Sequence, residues 1–540
     1  MSGSLNLVGT GFSIAGQMTP EALTCVQEAD QVLHILSDPA TSAWLHRIRP
    51  DARTLTDLYG EGKSRHLTYA EMERAMLDLA RSGENVCVAF YGHPGVFVTP
   101  SHAARRAADQ EGLAARMLPG LSAESCLFAE LGIDPVARGC HSYEATQFLL
   151  RGTPVNTRSS LVLWQIGSIG VSTYRNAVLW SREGLQLLTE ELLKHYPDQH
   201  EVVVYEASQF PIAPSKILRV PLQDLGAADV SVISTLFVPP LAPATADAQR
   251  YRKLCDVLGP KACPAVPFDR PLAPLPDAPR PPRAAGSLEA IGLGYGLAGH
   301  LTPQGRYALE QADRVFYLVS DPIQGAWLKR LRSDATSLHS LYGENNDARD
   351  FHAAMTAALL EPVYAGERVC FAVSGHPSIV VPPAIEAVGQ ARLRGHDAKL
   401  IPGVSIEDCL IAELGFDPGL QGRMIYDATD LLLRPRALDT TTNLVLLQVG
   451  TLGEHRYRTD TRAHEGVLGL LRDALLEHYP PEHEVVIYER ATHALTQLRL
   501  ERVRLGELAT AEISVLSTLY LPPTAPVPHQ LHMQRKLGLK

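Results

Sequence analysis

The stretch NVCVAFYGHPGVF, residues 85–97, returns 283 residues later as RVCFAVSGHPSIV, residues 368–380. Each copy is an apolar run of strand length that breaks into a glycine turn. His93 and His376 stand in that turn, each followed by a proline. Working outward, the same offset pairs Gly9 with Gly292, Asp38 with Asp321, Trp44 with Trp327, Tyr59 with Tyr342 and Pro119 with Pro402. It continues through Asp134/Asp417, Gln165/Gln448, Tyr196/Tyr479, Glu206/Glu489 and Thr235/Thr518. No insertion or deletion breaks the register over about the first 240 residues of each copy, so one fold is present twice. Between the copies lies RPLAPLPDAPRPPRAAG, residues 270–286. Its prolines remove backbone donors and favour extended geometry, which makes a semi-rigid connector. Module one is placed at residues 1–262, a proline-rich linker at 263–286 and module two at 287–540.

Within each module strand and helix signals alternate. SLNLVGTGF is a short β-like run ending in glycines, and Thr19-Pro20-Glu21 supplies a cap, a first-turn proline and a first-turn acid for a helix through Ala29. A second strand lies in ADQVLHILS, and residues 68–81 form an amphipathic helix. Further helices are predicted over 101–111 and from near Ser122, followed by strand signals in SLVLWQIGS, EVVVYEAS and VSVISTLFVPP. The fold class is therefore α/β, with two lobes per module.

Apolar residues make up 45% and charged residues 20% of the chain, the composition of an ordinary soluble globular protein. No apolar stretch reaches bilayer length, and the N-terminus lacks a basic head with an apolar run, so a cytoplasmic protein without membrane contact is expected. A net charge of −10 with no basic block argues against nucleic acid as the partner. Cys87, Cys126, Cys370 and Cys409 sit in apolar runs and read as core residues, and no Cys/His spacing suggests a metal.

LVGTGF, TPEAL, YGHPG, LPGLSAES and VISTL, in that order, resemble the tetrapyrrole-methylase superfamily, and most closely its borosin-type peptide backbone α-N-methyltransferases. GTGFSIAG and GHPG stand where porphyrin and corrinoid enzymes carry GxGPGD and GDP loops, which favours the peptide-modifying branch. The resemblance implies S-adenosylmethionine as methyl donor. Through DLYGEGKSRHLTYAEM, residues 57–72, it implies Tyr59, Arg65 and Tyr69 as catalytic residues, joined by Tyr91. It places donor contacts at Tyr91, His93, Val96 and Phe97 of the GHPGVF loop, at Ser122, at Gln165 and at Ser234-Thr235.

Those residue types suit a difficult methylation. An amide nitrogen is a poor nucleophile because its lone pair is delocalised into the carbonyl. Its proton must leave and the imidate oxygen must be stabilised. A phenol near Arg65 could take the proton, and Tyr69 is the preferred base with Arg65 its activator. Singly, each residue has a plainer reading. Tyr59 would be a packing aromatic, Arg65 a solvated charge, and His93 a loop-shaping hydrogen bonder; only the joint spacing points to chemistry.

Module two differs at these positions. Ala348 stands opposite Arg65, His352 opposite Tyr69 and Ser374 opposite Tyr91, while Arg349 is displaced by one residue. One competent site, in module one, is expected beside a degenerate partner. Borosin-like enzymes resemble intertwined homodimers, so the tandem is expected to fold as an intrachain pseudodimer and to be monomeric in solution. The C-terminal LPPTAPVPHQLHMQRKLGLK tracks module one's own VPPLAPATADAQRYRKL and reads as no fused core peptide, so the expected substrate is a separate precursor peptide, in trans. The rival readings are a methyltransferase of tetrapyrroles or other small molecules, and a non-catalytic peptide-binding scaffold.

Overall fold

The computed structural model describes the chain apart from residues 1–2, 37, 211–212, 243, 260–283, 344–346, 455, 457–463, 494 and 540. Residues 263–283 of the expected linker lie outside the described residues. In module one, β1 (Ser4–Gly9), β2 (Gln31–Ile35), β3 (Arg53–Thr54), β4 (Asn85–Phe90) and β5 (Ala114–Met117) form a parallel sheet in the order β3-β2-β4-β1-β5. Its central strands are buried on both faces, which is why β4 reads as an unbroken apolar run. One face packs on helix Arg65–Arg81 through Leu5, Leu7, Met72 and Met76, and the other on helix Pro20–Glu28 through Val8, Ala22 and Val26. The latter helix starts as expected, with Thr19 accepting a hydrogen bond from the Ala22 amide and Pro20 in its first turn. Helix Arg65–Arg81 begins three residues earlier than its apolar periodicity indicates, for a reason that bears on the site below.

The second lobe contributes β6 (Cys140–Glu144), β7 (Ser160–Trp164), β8 (Glu201–Glu206), β9 (Lys216–Pro221) and β10 (Thr235–Val238). Module two repeats the first lobe as β11 (Ser287–Gly292), β12 (Arg314–Leu318), β13 (Thr336–Ser337), β14 (Arg368–Val373) and β15 (Asp397–Ile401). Its second lobe holds β16 (Arg423–Asp427), β17 (Asn443–Leu447), β18 (Glu484–Glu489), β19 (Arg499–Arg504) and β20 (Thr518–Leu521). The two second lobes are not separate. They fuse into one ten-stranded sheet through antiparallel pairing of β6 with β16. The register sets Ser142 opposite Arg423, His141 opposite Met424 and Cys140 opposite Ile425. Because Met424 is the repeat equivalent of His141, the pseudo-two-fold axis passes through that pair.

The halves are also tied by exchange. Helix Ala248–Leu258, module one by chain order, buries Leu254 among Tyr426, Leu446, Val467 and Leu471 of module two. Reciprocally, helix Leu531–Lys536 buries Met533 among Phe148, Leu149 and Leu188 of module one. The tandem is thus an intertwined pseudodimer within one chain, and the boundary at residue 262 divides the sequence but not the packing.

Beside the axis, Arg423 is 1% exposed and holds a fork of hydrogen bonds to Glu124, at 3.0 and 2.8 Å. It also pairs with Glu407, the repeat equivalent of Glu124. One cation from module two thereby serves two equivalent buried carboxylates. Removing one member of such a cluster leaves charge buried without a partner. Arg423→Ala is expected to lower unfolding free energy by about 3–5 kcal/mol in urea denaturation. Adding Glu124→Gln and Glu407→Gln should recover part of that loss.

Candidate active site at the lobe junction of module one

Helix Arg65–Arg81 starts where it does because the loop before it is pinned to the other lobe. The Gly62 amide donates to the Tyr174 carbonyl at 2.9 Å, the Tyr174 amide to that of Lys63 at 2.9 Å, and the Arg65 amide to that of Ser172 at 3.0 Å. These bonds satisfy backbone groups that a helix start leaves open, in place of a side-chain cap from Ser64. They put Arg65 and Tyr69 four residues apart on one helical face. Tyr59, just past the turn Thr56–Leu58, hydrogen-bonds Tyr69 and lies 5.0 Å, ring to ring, from Tyr174. Tyr91 follows β4, meets Phe12 edge-on at 6.0 Å and leaves 39% of its surface open to the junction. The Arg65 guanidinium lies 5.8 Å from the centre of the Trp180 ring, within cation–π reach.

Four residues singled out from sequence, Tyr59, Arg65, Tyr69 and Tyr91, are therefore brought into one cluster. Burial pushes the Tyr59 hydroxyl well above its usual pKa, neighbouring Tyr69 and Tyr91 add to the shift, and Arg65 opposes it. Tyr91 is raised in the same way by burial and then Tyr69, again against Arg65. The guanidinium is the group here that favours a phenolate.

The remaining sequence candidates divide into two sets. His93, Val96, Phe97 and Ser122 face module two. His93 Nε2 donates to the Asp408 carbonyl at 2.9 Å and its Nδ1 accepts from the Gly95 amide at 2.9 Å, so both ring nitrogens are engaged by backbone. The Phe97 amide donates to the Asp417 carboxylate at 3.1 Å, and its φ of +59° is the left-handed conformation this contact requires. Val96 lines the same interface with Ile379, its repeat equivalent. Ser122 caps helix Ala123–Leu131 by accepting from the Ser125 amide. Gln165, Ser234 and Thr235 lie in the second lobe. Ser234 is fully buried and donates to Glu206, while Thr235 opens β10. Gln165 is half-buried at a φ of +56°, and none of the hydrogen bonds among the described residues engages its carboxamide.

The family profile of the tetrapyrrole (corrin/porphyrin) methylases matches residues 4–225 and again 287–509. This chain belongs to that family. Among curated relatives it is 42% identical over 243 residues to the methyltransferase/ribosomally synthesized cyclic peptide gymnopeptides precursor of Gymnopus fusipes, covering 44% of this chain and 58% of that protein. It is 39% identical over 257 residues to the corresponding omphalotin A precursor of Omphalotus olearius, covering 47% of this chain and 61% of that protein. The chain thus spans well under two thirds of the length of these relatives. Among solved structures, uroporphyrin-III-C-methyltransferase of Thermus thermophilus is 20% identical with a TM-score of 0.33, covering 44% of this chain and 94% of that one.

The second tetrapyrrole-methylase module keeps the framework and fills the cleft differently. Ser374, in the place of Tyr91, donates to Gln324 Oε1 at 2.6 Å and accepts from the Ser320 amide at 3.1 Å. Arg349 turns to Asp347 at 3.2 Å and is not directed where Arg65 points, as a one-residue shift on a helix demands. Thr492 Oγ donates to Asp321 at 2.7 Å, bridging the two lobes. Gln448 Oε1 accepts from Thr451 Oγ at 3.0 Å, so the carboxamide left unengaged in module one is occupied here.

Sequence reasoning missed Tyr174 and Trp180. A usable signal was available for Trp180, whose sequence equivalent at the 283-residue offset is Ala463, so that it diverges together with Arg65.

The interface histidines carry a pH signature. Burial lowers His93 to about 3 from 6.5, and His376, which donates to the Ser125 carbonyl at 2.9 Å, to about 4. A histidine held neutral in the fold takes up a proton on unfolding. Its contribution is therefore complete above pH 6.5 and is lost as pH falls from there toward 4 for His376 and 3 for His93. Thermal melts of His93→Gln and His376→Gln should show a shallower acid limb than the parent chain.

Proposed function

We propose that module one is a S-adenosylmethionine-dependent N-methyltransferase acting on backbone amides of a separate peptide, with module two as its non-methylating structural partner. The observation that carries this is the cluster of three phenols and one guanidinium at the lobe junction, present in module one alone. The names of the relatives join methyltransferase to ribosomally synthesized cyclic peptide precursor, which supports a peptide as acceptor. In this chain module one continues into module two, which favours a substrate supplied in trans. No helix among the described residues is long and apolar enough to cross a membrane.

The residues present fit a methyl donor. Gly9 packs bare against the next turn, since a Cβ there would lie 2.3 Å from the Gly92 carbonyl, and Gly92 itself has a φ of +72°. This close approach lets Gly11 and Gly92 pair through both their amides and joins the carboxyl ends of β1 and β4, the edge at which ligands of open α/β sheets bind. Tyr91 and the unengaged Gln165 carboxamide would hold the donor, with the Ser234-Thr235 turn beneath. Bound there, S-adenosylmethionine supplies an electrophilic methyl.

The chain's own groups prepare the acceptor. Tyr69, beside Arg65, relays the amide proton, taking it on its phenolic oxygen as its own proton passes to solvent. Arg65 donates hydrogen bonds to the carbonyl oxygen as negative charge collects there. Tyr59, held protonated by burial, donates rather than accepts, and Tyr91 helps orient the peptide plane. The Trp180 ring keeps the guanidinium aimed into the junction.

Calorimetric titration with S-adenosylhomocysteine should give a stoichiometry near one. A value near two would mean that module two also holds donor, and no binding would return the chain to a scaffold. Given a peptide that the chain methylates, Tyr69→Phe and Arg65→Ala should each slow transfer by about 10²–10⁴-fold, followed by mass spectrometry. Ser374→Ala in module two should leave the rate unchanged. Sedimentation should find a single chain, because the pseudodimer already satisfies the interface.

A further inference from the structure

Arg490 directly follows β18 in module two, with only 12% of its side chain exposed. Its guanidinium pairs with Glu413 through Nη1, and Tyr488 Oη donates to the other oxygen of that carboxylate at 2.7 Å. Nη2 lies 3.5 Å from His300 Nε2, and that histidine nitrogen is in turn 3.5 Å from the carboxylate of Glu21 in module one. His300 packs on the glycine loop after β11, where a Cβ added to Gly294 or Gly296 would lie 2.4 Å from its side chain. At the other end, Glu489 anchors the Ser517-Thr518 turn by accepting from Ser517 Oγ. Arg490 therefore bridges the glycine loop and the Ser517-Thr518 turn, the repeat equivalents of the two walls placed around the donor in module one. Thr492 and His493 join the lobes nearby, through Asp321 at 2.7 and 3.6 Å.

Module one has Ala207 in place of Arg490 and Gln17 in place of His300. Gln17 turns back on its own loop, accepting from the Phe12 and Ser13 amides at 2.8 and 3.2 Å. The walls meet there through backbone, the Ile14 amide donating to the Gln209 carbonyl at 3.0 Å. Ala207 packs against the apolar cluster that contains Tyr205 and Trp164, so the fold stands without an arginine at this position. Arg490 Nε, though buried, makes no hydrogen bond among the described residues, a poor fit for a pair kept for stability alone.

We propose that module two is a donor site closed by its own Arg490, whose side chain takes the space that S-adenosylmethionine takes in module one. This rests on the donor site proposed above. Beyond Cβ, the arginine fills a crevice that a methyl group leaves free in module one. Glu413 pins the guanidinium there, and His300 carries the contact on to Glu21, so module one itself helps hold its partner shut. Arg490 thereby sets the number of donors that the chain loads. Loss of the Arg65 and Tyr69 equivalents is a separate change, which concerns the acceptor.

The test is calorimetric titration of full-chain variants with S-adenosylhomocysteine. Arg490→Ala alone would leave Glu413 buried without its cation, so it is combined with Glu413→Gln. The stoichiometry should rise from near one in the parent to near two in that double variant. The reciprocal change, Ala207→Arg, gives module one the arginine together with Glu130, the repeat equivalent of Glu413, and should lower the stoichiometry to near zero. Cooperative thermal melts check that each variant is folded, and if one is not, the other decides. A double variant that still binds one equivalent overturns the plug and leaves the donor site of module one in place. So does a parent that already binds two, or an Ala207→Arg chain that binds as the parent does. Binding by the double variant alone would keep the plug and fail the donor site of module one. No binding by either chain fails the donor reading itself, and the plug with it.

Discussion

The pairing of β6 with β16 is the constraint on which the rest of the molecule depends. Two second lobes share one sheet, so neither half presents a free edge at that joint. Around it the side chains are buried, polar and shared. Tyr426 and His141 meet across the axis at 2.5 Å, and Arg151 reaches the Gln421 and Thr441 carbonyls at 2.7 and 2.9 Å. Such groups favour one docking geometry because any other leaves them without partners.

Symmetry at that joint is broken in one informative place. Glu124 and Glu407 are equivalent, yet Arg423 has Cys140 as its counterpart. Module one paired with another copy of itself would confront two buried carboxylates with no cation between them. Like charges so placed are a barrier to the wrong pairing, and the same residues attract in the right one. Complementarity of this kind lets each half change without losing the other. Module two has used that freedom in its cleft, where Ser374, Gln324 and the Asp321–Thr492 contact satisfy one another.

Much of this was legible in the sequence, and the part that was not has a common cause. The unbroken 283-residue register required two copies of one fold, and alternating strand and helix signals placed most elements near their observed positions. The clustering of Tyr59, Arg65, Tyr69 and Tyr91 followed from a motif. The start of helix Arg65–Arg81 did not, because Ser172 and Tyr174 set it from far along the chain. Helix Ala248–Leu258 buries Leu254 in module two, and nothing in its local sequence tells which module its apolar face will meet. The family resemblance implied donor contacts along the GHPGVF loop, while His93 alone read as a loop-shaping hydrogen bonder. In the fold the His93 ring and the Phe97 amide bond Asp408 and Asp417, residues of the other copy. Local pattern reports local structure, and these contacts are not local.

The exchanged helices impose an order on biosynthesis. Helix Ala248–Leu258 leaves the ribosome before any of its seat on module two has been translated, since that seat is built from Tyr426, Leu446, Val467 and their neighbours. At ~5–20 residues per second, its apolar face waits on the order of 10–40 s for a surface to cover it. Module one is meanwhile deprived of Met533 and the helix that carries it, so its own core closes last. The nascent first half is therefore a natural client for a chaperone, and a pause before the second half would lengthen its exposure.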